Sequence, residues 1–262
     1  MRCWIGGVSV LGPGLPGWAQ SEAVLAGREA WVMAEAIAPA PAILASTERR
    51  RTGITTRFAL AAAMEATDGE ADRSVLETVF SSGNGDGMVI GAMMEAMHEA
   101  DGVISPTQFH NSVHNAAAGY WHIAVGSTAP SLSVGGHDGA FAAGLLAAAT
   151  TAVTGGGAVL LCAYDTPMPS PLSGVRRTDF PFAVALVLRP ESGLSARATL
   201  DLRYVPEAAP VEPVGDDLDA LSAGNPAARS IPLLRALATR REALIRLPML
   251  DDAYLELLIA PC

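Results

Sequence analysis

Residues Gly139 to Val153, GAFAAGLLAAATTAV, are nearly all apolar and long enough for four turns of helix. A helix that is apolar all round belongs in a core, so the chain must build structure around it. The stretch is too short to span a bilayer, and no segment of the chain reaches ~18 uninterrupted apolar residues. No transmembrane helix and no membrane insertion are expected.

The segments around it alternate between strand and helix. Cys3 to Leu11 reads as a strand ended by the turn Gly12-Pro13-Gly14. Trp18 to Ala26 has helical spacing, and Pro39-Ala-Pro41 marks a loop. Thr52 to Ala66 is a helix by its apolar residues Ile54, Phe58, Leu60, Ala61 and Met64. Val75 to Ser81 reads as a buried strand, closed by Ser82-Gly-Asn-Gly-Asp-Gly87. A Met-rich helix, Met88 to Glu99, follows; after a loop at Ser105-Pro106, Ser112 to Ile123 reads as another helix. Ser131 to Val134 is a short strand that stops at Gly135-Gly136. Ala158 to Ala163 and Ala183 to Leu188 are continuous apolar strands, whereas Thr199 to Val205 alternates. Ser230 to Arg241 reads as a helix and Ala253 to Ile259 as a last strand. Such alternation indicates a layered α/β fold. The chain reads as one domain, 1–262, with a Pro- and acid-rich linker at 206–219 and a short helix–strand extension at 220–262.

Charge and cysteine usage narrow the function. Half of the 262 residues are hydrophobic and 17% are charged, so a sizeable core can form. The 17 cations against 27 anions give a net charge of -10, which argues against a nucleic-acid partner. Every cation is Arg; without Lys there is no Schiff-base lysine and no P-loop lysine. Cys3, Cys162 and Cys262 are far apart and have no metal-ligand spacing. No metal, no cofactor and a reducing cytoplasmic location are the expectations. The N-terminus lacks the long apolar region of a signal peptide.

Three groups of residues could carry chemistry. The loop Ser82–Gly87 can present backbone N–H groups to an anion, but it matches neither a P-loop nor the dinucleotide spacing. A tight turn explains its glycines equally well. His110 and His114 would share a helix face, as metal-ligand pairs do, but Asn111 stands where a zinc protease has its Glu. His137 beside Asp138 could form an acid/base pair. The plainer reading is a polar turn with Asp138 as N-cap of the Gly139 helix.

Ser105-Pro-Thr-Gln-Phe-His-Asn-Ser-Val-His-Asn-Ala-Ala-Ala-Gly119 resembles the β-ketoacyl synthase segment that enters the dimer-interface helix. Pro130-Ser-Leu-Ser-Val-Gly-Gly-His-Asp138 is similar to the family stretch that delivers the catalytic cysteine to a helix N-terminus. Ile5-Gly-Gly-Val-Ser-Val-Leu-Gly-Pro13 and Phe80-Ser-Ser-Gly-Asn-Gly85 resemble the family's opening strand and the loop before its substrate-tunnel helix. The likeness covers roughly residues 3 to 190 and implies a thiolase-like half-fold. That is a layered α-β-α arrangement with a mixed sheet, lacking most of the second half.

Two departures shape what the resemblance implies. Asp138 stands at the nucleophile position, and a carboxylate cannot hold an acyl thioester. No His follows His137, so the histidines of the family's second half have no counterpart. A chain that keeps the interface half and loses the chemistry resembles a chain-length factor of type II polyketide or aryl polyene pathways. The resemblance implies a heterodimer with a catalytic ketosynthase, and contact with acyl carrier protein through that complex. It places Asn84, Asp86, Met88, Gly91 and Ala92 along the tunnel, where they would gate chain length. It places Phe109, Ser112 and Val113 at the partner interface. The competing readings are a free-standing acyl-thioester hydrolase or acyltransferase using His137 and Asp138, and a homodimeric scaffold that binds carrier protein.

Overall fold

The structure is a computed structural model and describes residues 1–99, 101–207, 215–250 and 252–262. In chain order the elements are β1 (Arg2–Leu11), α1 (Trp18–Leu25), α2 (Ser46–Arg49), α3 (Ile54–Ala66), β2 (Glu77–Ser81), α4 (Gly87–His98), α5 (Pro106–Ser112), α6 (Ala116–Val125), β3 (Ser131–Val134), α7 (Ala140–Gly155), β4 (Val159–Asp165), β5 (Phe182–Arg189), β6 (Ala198–Val205), α8 (Asp217–Gly224), α9 (Ile231–Thr239), β7 (Ala243–Pro248) and β8 (Tyr254–Pro261). Among the described residues the strands form one mixed sheet in the order β3-β2-β4-β5-β1-β6-β8-β7. β2 runs parallel to β3 and to β4; the other pairs are antiparallel.

The continuous apolar strands are explained by a core on each side of the sheet. In β4, Val159, Leu161 and Ala163 face one core, and Leu160, Cys162 and Tyr164 face the other. β5 alternates in the same way. Strands covered on both faces have no reason to alternate apolar with polar. Phe58, Phe80, Tyr120 and Trp121 fill the core under α3 and α6. Phe141, Leu145, Ala148 and Ala152 of α7 fill the opposite core with α9 and the inner faces of β6, β8 and β7. Each large side chain buried this way stabilises the fold by about 1.5–3 kcal/mol.

α7 is central over its first turns, but it leaves the core at its C-terminal end, where Val153 is exposed. Its threonines turn back on the helix: Thr150 and Thr154 donate to the carbonyls of Leu146 and Thr150.

Three sequence expectations change. The helix expected over Ser112 to Ile123 is α6, which starts only at Ala116; Ser112 ends a separate helix, α5, and the expected loop at Ser105-Pro106 is the start of that helix. Residues 208–214 of the expected linker lie outside the described residues, and its last residues, 217–219, belong to α8. The extension at 220–262 holds most of α8, then α9, β7 and β8, more than one helix and one strand. It continues the sheet. The outer face of β6, β8 and β7 carries charge: Glu256 accepts from Arg203 and from Arg246 across the strands, and Arg2 pairs with Asp201.

Candidate functional site

The parallel strands β2, β3 and β4 end on the same edge of the sheet, and their loops meet there. The crevice beyond the carboxyl ends of parallel strands is where α/β folds place their sites. β2 leads into the loop Ser82–Asp86, β3 into Gly135–Gly139, and β4 into Asp165 and Thr166.

Asp165 organises the first loop. Its Oδ1 accepts from Ser82 Oγ (2.8 Å) and the Asn84 N–H (2.9 Å), and its Oδ2 accepts from the Gly83 N–H (3.0 Å). The anion that this Gly-rich loop cradles is therefore a carboxylate of the chain itself. Burial pushes the Asp165 carboxyl up to about 6, against the pull of these donors and of the Arg176 charge.

Asn84 carries the network outward. Its amide donates to Thr178 Oγ1 (2.7 Å), and its Oδ1 accepts from Arg176 Nε (2.7 Å). Arg176 Nη1 pairs with Asp138 Oδ1 at 2.5 Å, and Arg229 Nη2 approaches Oδ2 at 3.4 Å. The Arg176 side chain is 15% exposed and that of Asp138 is 45% exposed. Both ring nitrogens of His137 lie 3.0–3.1 Å from Arg176 Nη1. His137, Asp138, Arg176 and Arg229, with Asn225 and Pro226, line a cavity of about 300 Å³.

One reading of Asp138 is corrected here. It is not the N-cap of α7: it sits in a 3-10 turn, His137–Gly139, and Gly139 holds the cap position without a side-chain bond. Asp138 is instead clamped by two arginines. His137 Nδ1 lies 3.6 Å from Asp138 Oδ1, and both its ring nitrogens also face the Arg176 guanidinium. Sequence reasoning missed Arg176 and Arg229. Neither sits in a motif, and only folding brings them to the α7 entry.

The other candidates divide into two groups. Asp86 caps α4, accepting from the Val89 N–H (3.2 Å), and burial raises its carboxyl above the usual range. Gly91 is buried, and a Cβ there would lie 2.6 Å from Pro169 Cγ of the same chain. Ala92 is half-buried. Met88 and Phe109 are 51% and 62% exposed, and Val113 is also exposed. Ser112 ends α5 and donates to the Phe109 carbonyl. His110 and His114 are not paired: the first stacks edge-on against Tyr120, and the second reaches the Val134 carbonyl.

The profile of the β-ketoacyl synthase N-terminal domain matches residues 18–246. The chain belongs to this β-ketoacyl synthase family. The match runs past residue 190, where the resemblance read from motifs had faded. Among solved structures, the chain resembles a chain of the ketosynthase ApeO in complex with its chain length factor ApeC from Xenorhabdus doucetiae. That match has 19% identity, 98% of this chain and 99% of that one covered, and a TM-score of 0.75. It also resembles the ishigamide ketosynthase/chain length factor (14%, 100% and 99% covered, TM-score 0.74). A third similar structure is the type II polyketide synthase complex AntDE:AntF, an acyl-carrier protein with its ketosynthase bound to the hexaketide (13%, 100% and 99%, TM-score 0.75). At these identities the likeness shows the ketosynthase-type, thiolase-like fold. Comparison with curated proteins gives no match.

Proposed function

We propose that this chain is a non-catalytic, chain-length-factor-like subunit that pairs with a catalytic β-ketoacyl–carrier-protein synthase. The observation that carries this reading is Asp138, a carboxylate clamped by Arg176 and Arg229 at the helix entry where the family presents its nucleophile. An ion-paired carboxylate neither attacks a thioester nor holds an acyl group as one.

A heterodimer is supported by the surface beside the site. β3 is an edge strand with Leu132 exposed, and an edge of this kind is a template for pairing with another chain. Met88, Met94 and Met97 of α4, and Phe109 and Val113 at α5, add exposed apolar side chains on helices that contact each other. Solved relatives described as ketosynthases with chain length factors agree with this pairing. In the proposed role, α4 walls the tunnel that holds the growing type II polyketide or polyene chain. Met88 and Ala92 suit gating better than Gly91, where an added side chain would meet Pro169. Carrier protein would approach through the complex. Arg49, Arg50 and Arg51 are consecutive in a chain of net charge -10, a run suited to a phosphorylated or acidic partner, although Arg51 also pairs with Glu48.

Co-expression with a ketosynthase encoded by a neighbouring gene tests the proposal. The two chains should co-purify, and the isolated chain should not turn over acyl thioesters. Turnover by the isolated chain, lost in Asp138→Ala or His137→Ala, would establish the hydrolase or acyltransferase reading instead.

A further inference from the structure

We propose that Arg176 is an internal plug, whose guanidinium fills the space beside residue 138 in which an acyl group would have to sit. The inference rests on the non-catalytic reading and deepens it: the space next to the residue 138 side chain is obstructed by the chain itself, not merely deprived of its nucleophile.

An acyl carbon attached at residue 138 would lie one covalent bond beyond the side-chain terminus. Arg176 Nη1 lies against that zone, 2.5 Å from Asp138 Oδ1, closer than a non-bonded acyl carbon could approach it. The guanidinium is held from more than one side. Nε is anchored by Asn84 Oδ1, and the loop bearing Asn84 is in turn held by Asp165. The His137 ring covers Nη1. Nη2 is buried and points to Gly83, where a Cβ would come within 3.0 Å of it and 2.8 Å of the His137 carbonyl oxygen. Gly83 thus permits the close approach on which the plug depends. Asn84 holds Arg176 independently of Asp138, so replacing Asp138 alone leaves the guanidinium in place.

The test uses the full chain with Cys262→Ser, because Cys262 is the exposed native thiol while Cys3 and Cys162 are buried. Asp138→Cys is compared with Asp138→Cys/Arg176→Ala and Asp138→Cys/Arg176→Gln. Iodoacetamide reports how much of the introduced thiol is present as reactive thiolate. Hexanoyl-N-acetylcysteamine reports whether an acyl group fits. In that exchange the thiolate bonds to the acyl carbon, and N-acetylcysteamine leaves as a thiolate and takes up a proton. Both rates are read by intact mass. The ratio of acylation to alkylation should rise at least ten-fold when Arg176 is shortened to Ala, with a smaller rise for Gln. The Gln variant can still bond Asn84, so it serves if the Ala variant fails to fold. A folded double variant whose ratio equals that of Asp138→Cys overturns the plug. Failure of the non-catalytic reading is read separately, as thioester turnover by the unmodified chain.

Discussion

Asp165 lies inside the protein, yet the loop after β2 turns three donors toward its carboxylate. Desolvation outweighs those donors and raises its folded-state value to about 6, against about 3.9 for an unperturbed Asp. Below pH ~4 the group is protonated in both the folded and unfolded states. As pH rises from about 4 to about 6, the unfolded chain gives up its proton more readily, so folding stability falls across that window. The carboxylates held low by arginines, Asp201 and Glu256, act in the opposite direction. The informative quantity is therefore a difference between variants. Wild type should lose stability relative to Asp165→Asn as pH is raised from about 4 to about 6, followed by thermal unfolding. A constant difference across the window would show that folding does not shift this group.

At the scale of elements, α7 seats on β2 through Gly144. Ser81 Oγ donates to the Ala140 carbonyl (2.6 Å), and a Cβ on Gly144 would lie 2.6 Å from Ser81 Cβ. Gly144→Ala sets two effects against each other. Helix propensity favours Ala by about 1 kcal/mol, whereas overpacking typically costs about 1–3 kcal/mol. Because the seat on β2 leaves no room, net destabilisation is expected, measurable by denaturant unfolding; a stabilised variant would show that α7 can shift outward freely. α5 illustrates a signal that was present and passed over. Ser105, Pro106 and Gln108 spell a helix start, and Gln108 Oε1 accepts from the Ser105 N–H at 3.4 Å. β7 left a weaker trace: Ala243–Pro248 pairs with β8 alone and keeps a partly exposed face, so its short pattern is masked by neighbouring charges.

At the scale of the molecule, the two ends of the sheet meet solvent differently. The β6-β8-β7 end is laced with the Arg203–Glu256–Arg246 contacts and suits water. The other end, around β3, α4 and α5, carries exposed apolar side chains, a face that a partner would cover. Phe109→Asp/Val113→Asp should weaken association with a catalytic ketosynthase at least ten-fold, by analytical ultracentrifugation, with little change in thermal stability. Exposed side chains add little to the isolated fold, whereas truncated interface anchors commonly cost above 1 kcal/mol. Ala92→Phe should shorten the product of the intact complex, read by mass spectrometry. An unchanged product length would take Ala92 out of the tunnel wall.

The local pattern by itself determined most of the elements, the layered α/β class and the family resemblance. Those properties are written in periodicity, turn residues and contiguous motifs, which act over a few residues. The tertiary structure alone decided what Asp138 is. Its partners Arg176 and Arg229 are 38 and 91 positions away by residue number, and no local propensity reports such a meeting. The same holds for the anion in the Gly-rich loop: Asp165 closes β4, and it reaches Ser82–Asn84 only because β2 and β4 run in parallel and end side by side. Long-range ion pairs of this kind depend on sheet order, and sheet order is settled by which apolar faces can be buried together.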